Sequence, residues 1–532
     1  MSRPGSGVVM GRRRFLSLGA LGAGALGLGA MGTIAGCSST AASPTPTTDL
    51  DYILPTDPEV AAAESARAWN GTTAAFALAA GFSTVDLGGR LVDTWTYGGA
   101  AVAPELRLKS GDRVNVSVQN GLDAETTLHW HGIRIRNDMD GAAPTTQAPI
   151  GAGSSFEYNF IAPDPGTYWY HSHSGLQADR GLFGALIVEN PNDITGADVD
   201  AVLVLDDWLD GLGTTPDSVL MALNPAISGG HGGHGGHGGG ATTPAEHSEA
   251  DMSVAQQLVS GGHGSSEPLG GMTQHIAYPL HLINGRPPND PAVVTAAPGS
   301  TLRLRIINAA AETPYRFAVA GHEMTIVATD GYDVEPTPAD TIIVGMAQRY
   351  DVLVTVKSGT WPVVAKVEGR DGYASTVLRS TDALALANPD VGGNLSELAG
   401  RLVTESELRP TESARLETKS PDRDYRIELI QAGDRYVWGM AGADAGKLVM
   451  KQGERVRITM KNASTMWHPM HTHGHTFAVP DYGGLRRDTV NVLPGTELAI
   501  EFDADNPGEW MFHCHNAYHF EAGMTANLRY VR

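Results

Sequence analysis

The residues with the clearest chemical potential lie in the stretch from His513 to Met524, which reads HCHNAYHFEAGM. A cysteine stands between two histidines, and another histidine and a methionine follow it after five and ten residues. Two imidazoles, one thiolate and a weak axial thioether are the ligands of a blue electron-transfer copper. Cys514, His519 and Met524 would supply three of these ligands, with one histidine from elsewhere. The alternative is a buried structural cysteine among incidental histidines.

The local geometry of this stretch allows two sites to be contacted at once. If the segment around Cys514 is a β-strand, its side chains alternate between the two faces. Cys514 would then point to one face, while His513 and His515 would point to the other. A single strand could therefore contact two copper centres.

Three further histidine clusters occur in the chain. They read HWH at 129–131, HSH at 171–173 and HPMHTH at 468–473. Residues two apart in a strand share a face, so each His-x-His pair can direct both imidazoles into one pocket. The four pairs, counting the one around Cys514, provide eight imidazoles. A lone histidine is usually structural, but eight in four pairs favour a metal cluster.

An internal repeat relates these pairs to one another. Residues 109–120 match residues 451–462, and the offset is 451 − 109 = 342. The same offset places four histidines of the first copy on four of the last: 129 on 471, 131 on 473, 171 on 513 and 173 on 515. The first and last domains are therefore predicted to be copies of one ligand-bearing sandwich.

A third, degenerate copy lies between them. Residues 298–308 repeat the strand of the first copy with an offset of 299 − 111 = 188, and there the histidine positions become Phe317, Val319, Val364 and Lys366. The middle domain is thus predicted to keep the fold without metal ligands and to serve as a spacer. Inserted in it is Ser228 to Met272, where His231, His234 and His237 recur at Gly-Gly spacing. Glycine at this density predicts a mobile loop, either a copper-collecting arm or a tolerated hydrophilic insertion.

Composition narrows the class of protein. From about Thr72 onward, short β-type runs alternate with Gly, Pro and Asn, which predicts an all-β fold. One helix is predicted, from Glu59 to Trp69. The formal charge of −22 argues against a nucleic-acid partner.

The N-terminus carries processing signals. Arg12, Arg13 and Arg14 resemble a twin-arginine export signal, and the apolar run that follows ends in Ile34-Ala35-Gly36-Cys37, which resembles a lipoprotein cleavage box. Cys37 is therefore expected to carry the lipid; the alternative is an uncleaved membrane anchor. The chain has two cysteines. Cys514 is thus left without a disulfide partner in an exported protein, which favours another use for its thiol.

These residues and their spacing resemble the multicopper oxidases, the family of laccases, ascorbate oxidases, ferroxidases and bacterial copper-resistance oxidases. The resemblance extends from about residue 72 to the end of the chain. It implies three cupredoxin-type Greek-key β-sandwich domains and four copper ions. The implied ligands are His468, Cys514, His519 and Met524 for type 1 copper, His129 and His471 for type 2, and His131, His171, His173, His473, His513 and His515 for the type 3 pair.

The resemblance also places residues beside the copper ions. Asp140 matches a carboxylate that supplies protons near the trinuclear site; the alternative is an ordinary Asp-Gly turn. The acid that directly follows the type 1 histidine in some bacterial members is replaced by Phe520, with Glu521 one step on. Met466 and Met470 could bring thioethers to cuprous ion near the electron entry site, or fill the core. Ser464 stands where a cuprous-oxidase member has an aspartate.

The predicted organisation is therefore a signal at 1–36, a tether at 37–71, and domains at 72–192, 193–390 and 391–532. The predicted function is oxidation of cuprous ion, phenols or ferrous ion, one electron at a time, coupled to reduction of dioxygen to water, in copper detoxification. The electron would cross from Cys514 through His513 or His515. We expect a monomer on the outer face of the cytoplasmic membrane, anchored by lipid. The rival hypothesis is a copper store without turnover.

Overall fold

The structure is a computed structural model that describes residues 50–193, 195–225, 248–261, 263–389, 393–433 and 436–532. Leu50 to Arg532 form one compact unit. The predicted export signal, the predicted lipidation site Cys37 and the glycine-rich run with His231, His234 and His237 lie outside the described residues.

The first two sheets follow one short helix. The predicted helix is α1 (Pro58–Ser65), which ends earlier than expected. The strands are β1 (Thr73–Asp86), β2 (Leu91–Tyr97), β3 (Ala103–Lys109), β4 (Arg113–Asn120), β5 (His129–His131), β6 (Ser155–Ile161), β7 (Gly166–His171) and β8 (Phe183–Glu189). They form sheets in the orders β2-β1-β4-β6 and β3-β8-β7-β5. Burial alternates along β4, where Val114, Val116 and Val118 face the core between the sheets.

The middle part of the chain forms two six-stranded sheets. Its strands are β9 (Val199–Trp208), β10 (Ser265–Ser266), β11 (Gly271–Met272), β12 (Leu280–Ile283), β13 (Val293–Ala296), β14 (Thr301–Asn308), β15 (Tyr315–Val319), β16 (Met324–Thr329), β17 (Tyr332–Ala339), β18 (Thr341–Val344), β19 (Arg349–Thr355), β20 (Thr360–Val367), β21 (Tyr373–Ser380) and β22 (Leu402–Val403). The sheet orders are β12-β9-β14-β19-β16-β17 and β13-β21-β20-β15-β18-β22, and β10 pairs with β11 apart from them.

The last part of the chain repeats this arrangement. Its strands are β23 (Arg423–Gln431), β24 (Trp438–Ala441), β25 (Leu448–Met450), β26 (Arg455–Asn462), β27 (His468–Thr472), β28 (Phe477–Val479), β29 (Leu485–Arg487), β30 (Thr489–Val492), β31 (Glu497–Asp503), β32 (Glu509–Cys514) and β33 (Thr525–Tyr530). They form sheets in the orders β24-β23-β26-β31-β28-β29 and β25-β33-β32-β27-β30. The all-β prediction is confirmed.

One hydrogen-bond pattern occurs in all three pairs of sheets. Asn120, Asn308 and Asn462 each end a strand that the sequence repeat had aligned, and each is buried. Each side-chain amide donates to two carbonyl groups, of Ala124 and Ile150, of Thr313 and Val344, and of Met466 and Val492. The same asparagine therefore holds the same loop in each copy.

This pattern corrects the predicted positions of the first histidine pair in the middle copy. The loop from Asn308 to Thr313 is one residue longer than the loops after Asn120 and Asn462. The register accordingly pairs Ala318, not Phe317, with Val364. The prediction that Phe317 and Val319 replace the first histidine pair is off by one residue, because a gapless offset cannot follow an inserted residue.

The insertion is more ordered than its glycine content predicted. Its described end forms the helix α3 (Glu249–Ser260), which packs against α2 (Pro216–Leu223) and is followed by β10 and β11. Ser248 and Asp251 cap the helix reciprocally. The prediction of a mobile loop was wrong for this part, because the glycine-rich run ends before Ser248 and no glycine lies between Ser248 and Ser260. None of the helices in the described ranges is both long and apolar enough to span a bilayer.

Candidate metal centres

The first site is a compact group formed by His468, Cys514 and His519. His468 begins β27, Cys514 ends β32, and His519 lies in the short helix α4 (Ala517–Glu521). The Nδ1 atoms of the two histidines are 3.1 Å apart, and the Cys514 Sγ atom is 3.7 Å from each. All three side chains are fully buried. We call this group the sulfur site.

Backbone hydrogen bonds bring the end of the motif back to the cysteine. The Asn516 side chain caps α4 by accepting from the N–H groups of Tyr518 and His519, both at 3.1 Å. Past the helix, the Met524 N–H donates to the His519 carbonyl, and the Cys514 N–H donates to the Met524 carbonyl at 3.1 Å. Met524 is fully buried with Cys514 in one apolar cluster.

The second site contains the eight histidines of the four pairs, of which seven are buried and His515 is partly exposed. We call it the histidine cluster; its members are His129, His131, His171, His173, His471, His473, His513 and His515. The strand register opposes His129 to His171 and His471 to His513, as the repeat requires. Across the two copies, the His129 ring stacks on His473 with centroids 3.9 Å apart, and His131 stacks on His471 at 3.8 Å. The structure thus brings together all eight predicted imidazoles.

The ring nitrogens of the cluster show which atoms face its interior. Six of the eight rings have one nitrogen hydrogen-bonded to a backbone carbonyl or a carboxylate; these are His129, His131, His171, His471, His473 and His513. The remaining nitrogen of His129, His131, His171 and His471 has no hydrogen-bond partner among the described residues, and neither has His515 Nε2. Unpartnered buried nitrogens on several converging rings are what a metal cluster requires.

One contact tests the fit to a metal directly. The Nε2 atoms of His473 and His513 lie 3.0 Å apart, and His173 Nε2 lies 3.5 Å from that of His513. The Nδ1–H groups of His473 and His513 donate to the Asp140 carboxylate and to the Cys514 carbonyl. Their Nε2 atoms therefore direct lone pairs at each other. A cation bound between them would accept both lone pairs and remove the repulsion. Imidazole nitrogens with a thiolate nearby fit copper.

Burial favours the metal-binding form of these histidines. It lowers the pKa of His513 to about 4 and that of His468 to about 3. It also places the pKa values of His171 and His473 well below the ordinary value, and neighbouring imidazoles lower them further. Neutral rings at pH 7 keep a lone pair for a metal. Burial raises the pKa of the Cys514 thiol, so a metal ion must displace its proton.

Asp140 lies where the sequence analysis placed it. It is 1% exposed, its Oδ2 accepts from His473 Nδ1 at 2.8 Å, and its backbone carbonyl accepts from His129 Nδ1 at 2.8 Å. One residue of the first copy thus orients a histidine of its own copy and one of the last copy. An ordinary Asp-Gly turn would not need such contacts.

Asp488 is the counterpart that the sequence analysis missed. Its backbone carbonyl accepts from His471 Nδ1 at 2.9 Å, and its Oδ1 is 3.2 Å from His131 Nε2. Arg349 of the middle copy binds both of its carboxylate oxygens, at 2.7 and 2.5 Å. The available signal was an aspartate after the first HxH pair of the first copy and of the last copy, 140 − 131 = 9 and 488 − 473 = 15 residues on. Because these two spacings differ, the gapless repeat does not align Asp488 with Asp140.

Comparison with known proteins identifies the family. Three family models, each described as multicopper oxidase, match residues 82–193, 254–383 and 418–531. The chain is also 38% identical to the multicopper oxidase MmcO of Mycobacterium tuberculosis, over 99% of both chains. The chain belongs to the multicopper oxidase family. It is a copper-dependent oxidoreductase that uses oxygen as acceptor.

Other relatives of this oxidase are more distant. Copper resistance protein A of Escherichia coli is 27% identical, with 85% of this chain and 92% of the relative covered. Among solved structures, the laccase from Botrytis aclada superposes with a TM-score of 0.67 at 24% identity, covering 88% of this chain and 89% of the laccase. Fet3p, a multicopper oxidase that functions in iron import, gives 0.66 at 23%, covering 86% and 90%. These two likenesses show the cupredoxin-type fold.

The remaining predicted residues have mixed outcomes in the oxidase. Met466 and Met470 are fully buried in the apolar cluster around Cys514, which favours the core-filling alternative. Ser464, which replaces the acid, contacts His468 Nε2 at 2.8 Å. Phe520 occupies the position of the other missing acid, with its ring 4.7 Å from that of His513. Burial raises the pKa of Glu521 to about 7.

Proposed function

We propose that this oxidase holds four copper ions and couples the one-electron oxidation of cuprous ion to the reduction of dioxygen to two waters. Phenols and ferrous ion are further donors. His468, Cys514, His519 and Met524 would hold type 1 copper. The histidine cluster would hold the type 2 ion at His129 and His471, and the type 3 pair at His131, His171 and His515 and at His173, His473 and His513. Bound copper supplies the redox chemistry, since no side chain in either site accepts electrons reversibly.

The observation that carries this proposal is the tripeptide from His513 to His515. Cys514 belongs to the sulfur site, while both of its neighbours belong to the histidine cluster. The His513 Nδ1–H donates to the Cys514 carbonyl at 2.9 Å, so a short covalent and hydrogen-bonded path joins the two sites. A storage protein needs no such connection. The path favours turnover over storage.

The chain's own residues prepare both sites for this task. Asp140 holds His473 and is the one carboxylate that contacts the cluster without an arginine partner among the described residues. We therefore assign it to proton delivery as well as to positioning. Asp488, bound by Arg349, is a positioning residue.

The cellular role proposed is copper detoxification outside the cytoplasm. The relative named copper resistance protein A supports this role, and the twin-arginine and lipoprotein motifs support export and anchoring through Cys37. His231, His234 and His237 would collect copper. Replacing these three by glutamine tests that role. Unchanged copper tolerance of cells would count against it.

Oxygen consumption by the copper-loaded protein is the deciding experiment. Cuprous, ferrous and phenolic donors are supplied side by side under the same conditions, and dioxygen uptake is measured together with peroxide. We expect uptake with cuprous ion, four ions consumed for each dioxygen, and no released peroxide. Full copper loading without uptake from any donor would establish the storage alternative instead.

A further inference from the structure

His519 of the sulfur site is closed off from solvent by three rings. Trp438 stacks on it with centroids 3.9 Å apart and an interplanar angle of 30°, Tyr436 lies at 5.8 Å, and His275 lies at 5.8 Å. His519 itself is fully buried, whereas His275 is 7% exposed. Tyr436 is also 7% exposed and Trp438 is 2% exposed, so a donor in solution can contact His275 or Tyr436 but not His519 itself.

His275 is oriented by a buried carboxylate. Glu312 is fully buried, and its Oε1 accepts from the backbone N–H of His275 at 3.1 Å and from the ring Nδ1 at 3.2 Å. Its Oε2 accepts from the Ile276 N–H at 2.8 Å. The ring therefore carries its proton on Nδ1 and presents the Nε2 lone pair. A carboxylate behind one nitrogen is the usual support of a metal-binding histidine.

The loop that carries Glu312 is itself anchored. The carboxylate of Asp207 accepts from three consecutive backbone N–H groups, of Ala311, Glu312 and Thr313, at 2.8, 3.2 and 2.9 Å. Asn516, which caps the helix bearing His519, donates to Glu312 Oε1 at 3.3 Å. His275 and His519 are thus held to one another through a single carboxylate.

A second histidine stands on the solvent side of His275. The ring of His263, an exposed residue, lies with its centroid 5.3 Å from that of His275 at an interplanar angle of 83°. This separation matches ring pairs within the metal centres, where His468 and His519 are 5.0 Å apart and His173 and His513 are 5.2 Å apart. The separation of the His263 and His275 rings therefore falls within the range of ring pairs in the metal centres.

We propose that His263 and His275 form a docking site for the substrate cuprous ion, and that the electron passes from this site through His275 to His519. Two imidazoles suit cuprous ion, which accepts low coordination, and the edges of Tyr436 and Trp438 complete an aromatic wall. Each cuprous ion loses one electron and leaves as cupric ion. Four such events, with four protons from solvent, convert one dioxygen into two waters.

This inference rests on the proposed oxidase function and specifies its electron entry. Silver(I) serves as the probe, because it resembles cuprous ion and is not oxidised here. His231, His234 and His237 are first replaced by glutamine in the full, copper-loaded chain, so that silver does not bind to them. In that background we compare His263→Ala, Glu312→Gln and the exposed control Gln256→Ala. The readouts are silver affinity by calorimetry and the ratio of kcat/KM for cuprous ion to kcat/KM for a phenol.

We expect His263→Ala and Glu312→Gln each to weaken silver binding at one site by about tenfold or more. The ratio of kcat/KM values should fall by a similar factor, mainly through the KM for cuprous ion, while Gln256→Ala matches the background. His263 is exposed, so its variant folds even if Glu312→Gln does not. Unchanged silver affinity and an unchanged ratio in His263→Ala would overturn the docking site. Absence of oxygen uptake by the unsubstituted enzyme with every donor would instead overturn the oxidase proposal.

Discussion

Asp140→Asn is the substitution that tests the arrangement of the histidine cluster most directly. The variant keeps the shape of the side chain but replaces a carboxylate acceptor by an amide. The bond from His473 Nδ1, 2.8 Å long and buried, then changes from charge-assisted to neutral. Hydrogen bonds to charged groups contribute about 1.5–3 kcal/mol against about 1 for neutral ones. A loss of about 1.4 kcal/mol corresponds to about tenfold in copper affinity.

The affinity loss is expected in the histidine cluster alone. Asp140 makes no hydrogen bond to His468, Cys514 or His519, so the blue colour of the sulfur site should persist. Copper content is measured after dialysis against a graded series of chelator concentrations. The reduced, oxygen-free enzyme is then mixed with dioxygen, and the return of the blue colour is followed. We expect Asp140→Asn to lose cluster copper first and to regain colour slowly.

Asp138→Asn is the matched control for this experiment. Asp138 lies two residues earlier on the same turn, and its carboxylate binds Arg136 at 2.6 and 2.7 Å instead of a histidine. The control should retain copper and recover colour as the wild type does. If Asp140→Asn behaves like Asp138→Asn in both measurements, the carboxylate does not hold the cluster and the assignment is wrong.

Three further predictions concern Asp488, Met524 and Asp207. Asp488→Ala should lower the free energy of unfolding by about 3 kcal/mol, which is the low end for a broken buried ion pair, because Arg349 keeps the Asp330 carboxylate at 3.5 Å. Unfolding in urea measures this loss, and an unchanged midpoint contradicts the prediction. Met524→Leu should raise the reduction potential of the sulfur site, since the thioether stabilises cupric copper. A potentiometric titration of the blue colour measures this potential. An unchanged or lower potential would contradict the assignment of Met524 as a ligand. Burial raises the pKa of Asp207 to about 6, partly offset by its backbone N–H donors, so the folded protein binds this proton more tightly than the unfolded chain. Its contribution to stability is present below about pH 4 and is lost as the pH rises to 6, by up to about 3 kcal/mol. The stability difference between wild type and Asp207→Asn should therefore shrink over this range in urea unfolding, and a constant difference would exclude the shift.

The sequence by itself determined the parts that depend on residue type and period. Histidines two apart in short β-type runs must share a face, so the four pairs could be assigned to pockets from spacing alone. The 342-residue offset related the pairs of the first copy to those of the last copy. The same offset method failed by one residue at Phe317, where a loop is longer, because local spacing carries no information about inserted residues.

The ordered part of the insertion was also within reach of the sequence. Ser248 and Asp251 have the spacing of a capping box, and the glycine-free run to Ser260 follows them. The glycine-rich run ends before Ser248, but the prediction of a mobile loop also covered the residues after it. The capping box predicts a helix at this point, whereas the glycine content of the whole insertion predicts a loop.

Tertiary structure alone decided how the supporting groups contact the metal sites. Asp140 and Asp488 each orient one histidine of their own copy and one of the other copy, a pairing across more than 300 residues that no local pattern encodes. The approach of His275 to His519, and of His263 to His275, likewise follows from packing of the segment from His263 to His275 against the last copy. The physical reason is that metal ligands are fixed by chemistry and strand period. The groups that orient them need only the correct position in space, which any segment of the chain can supply.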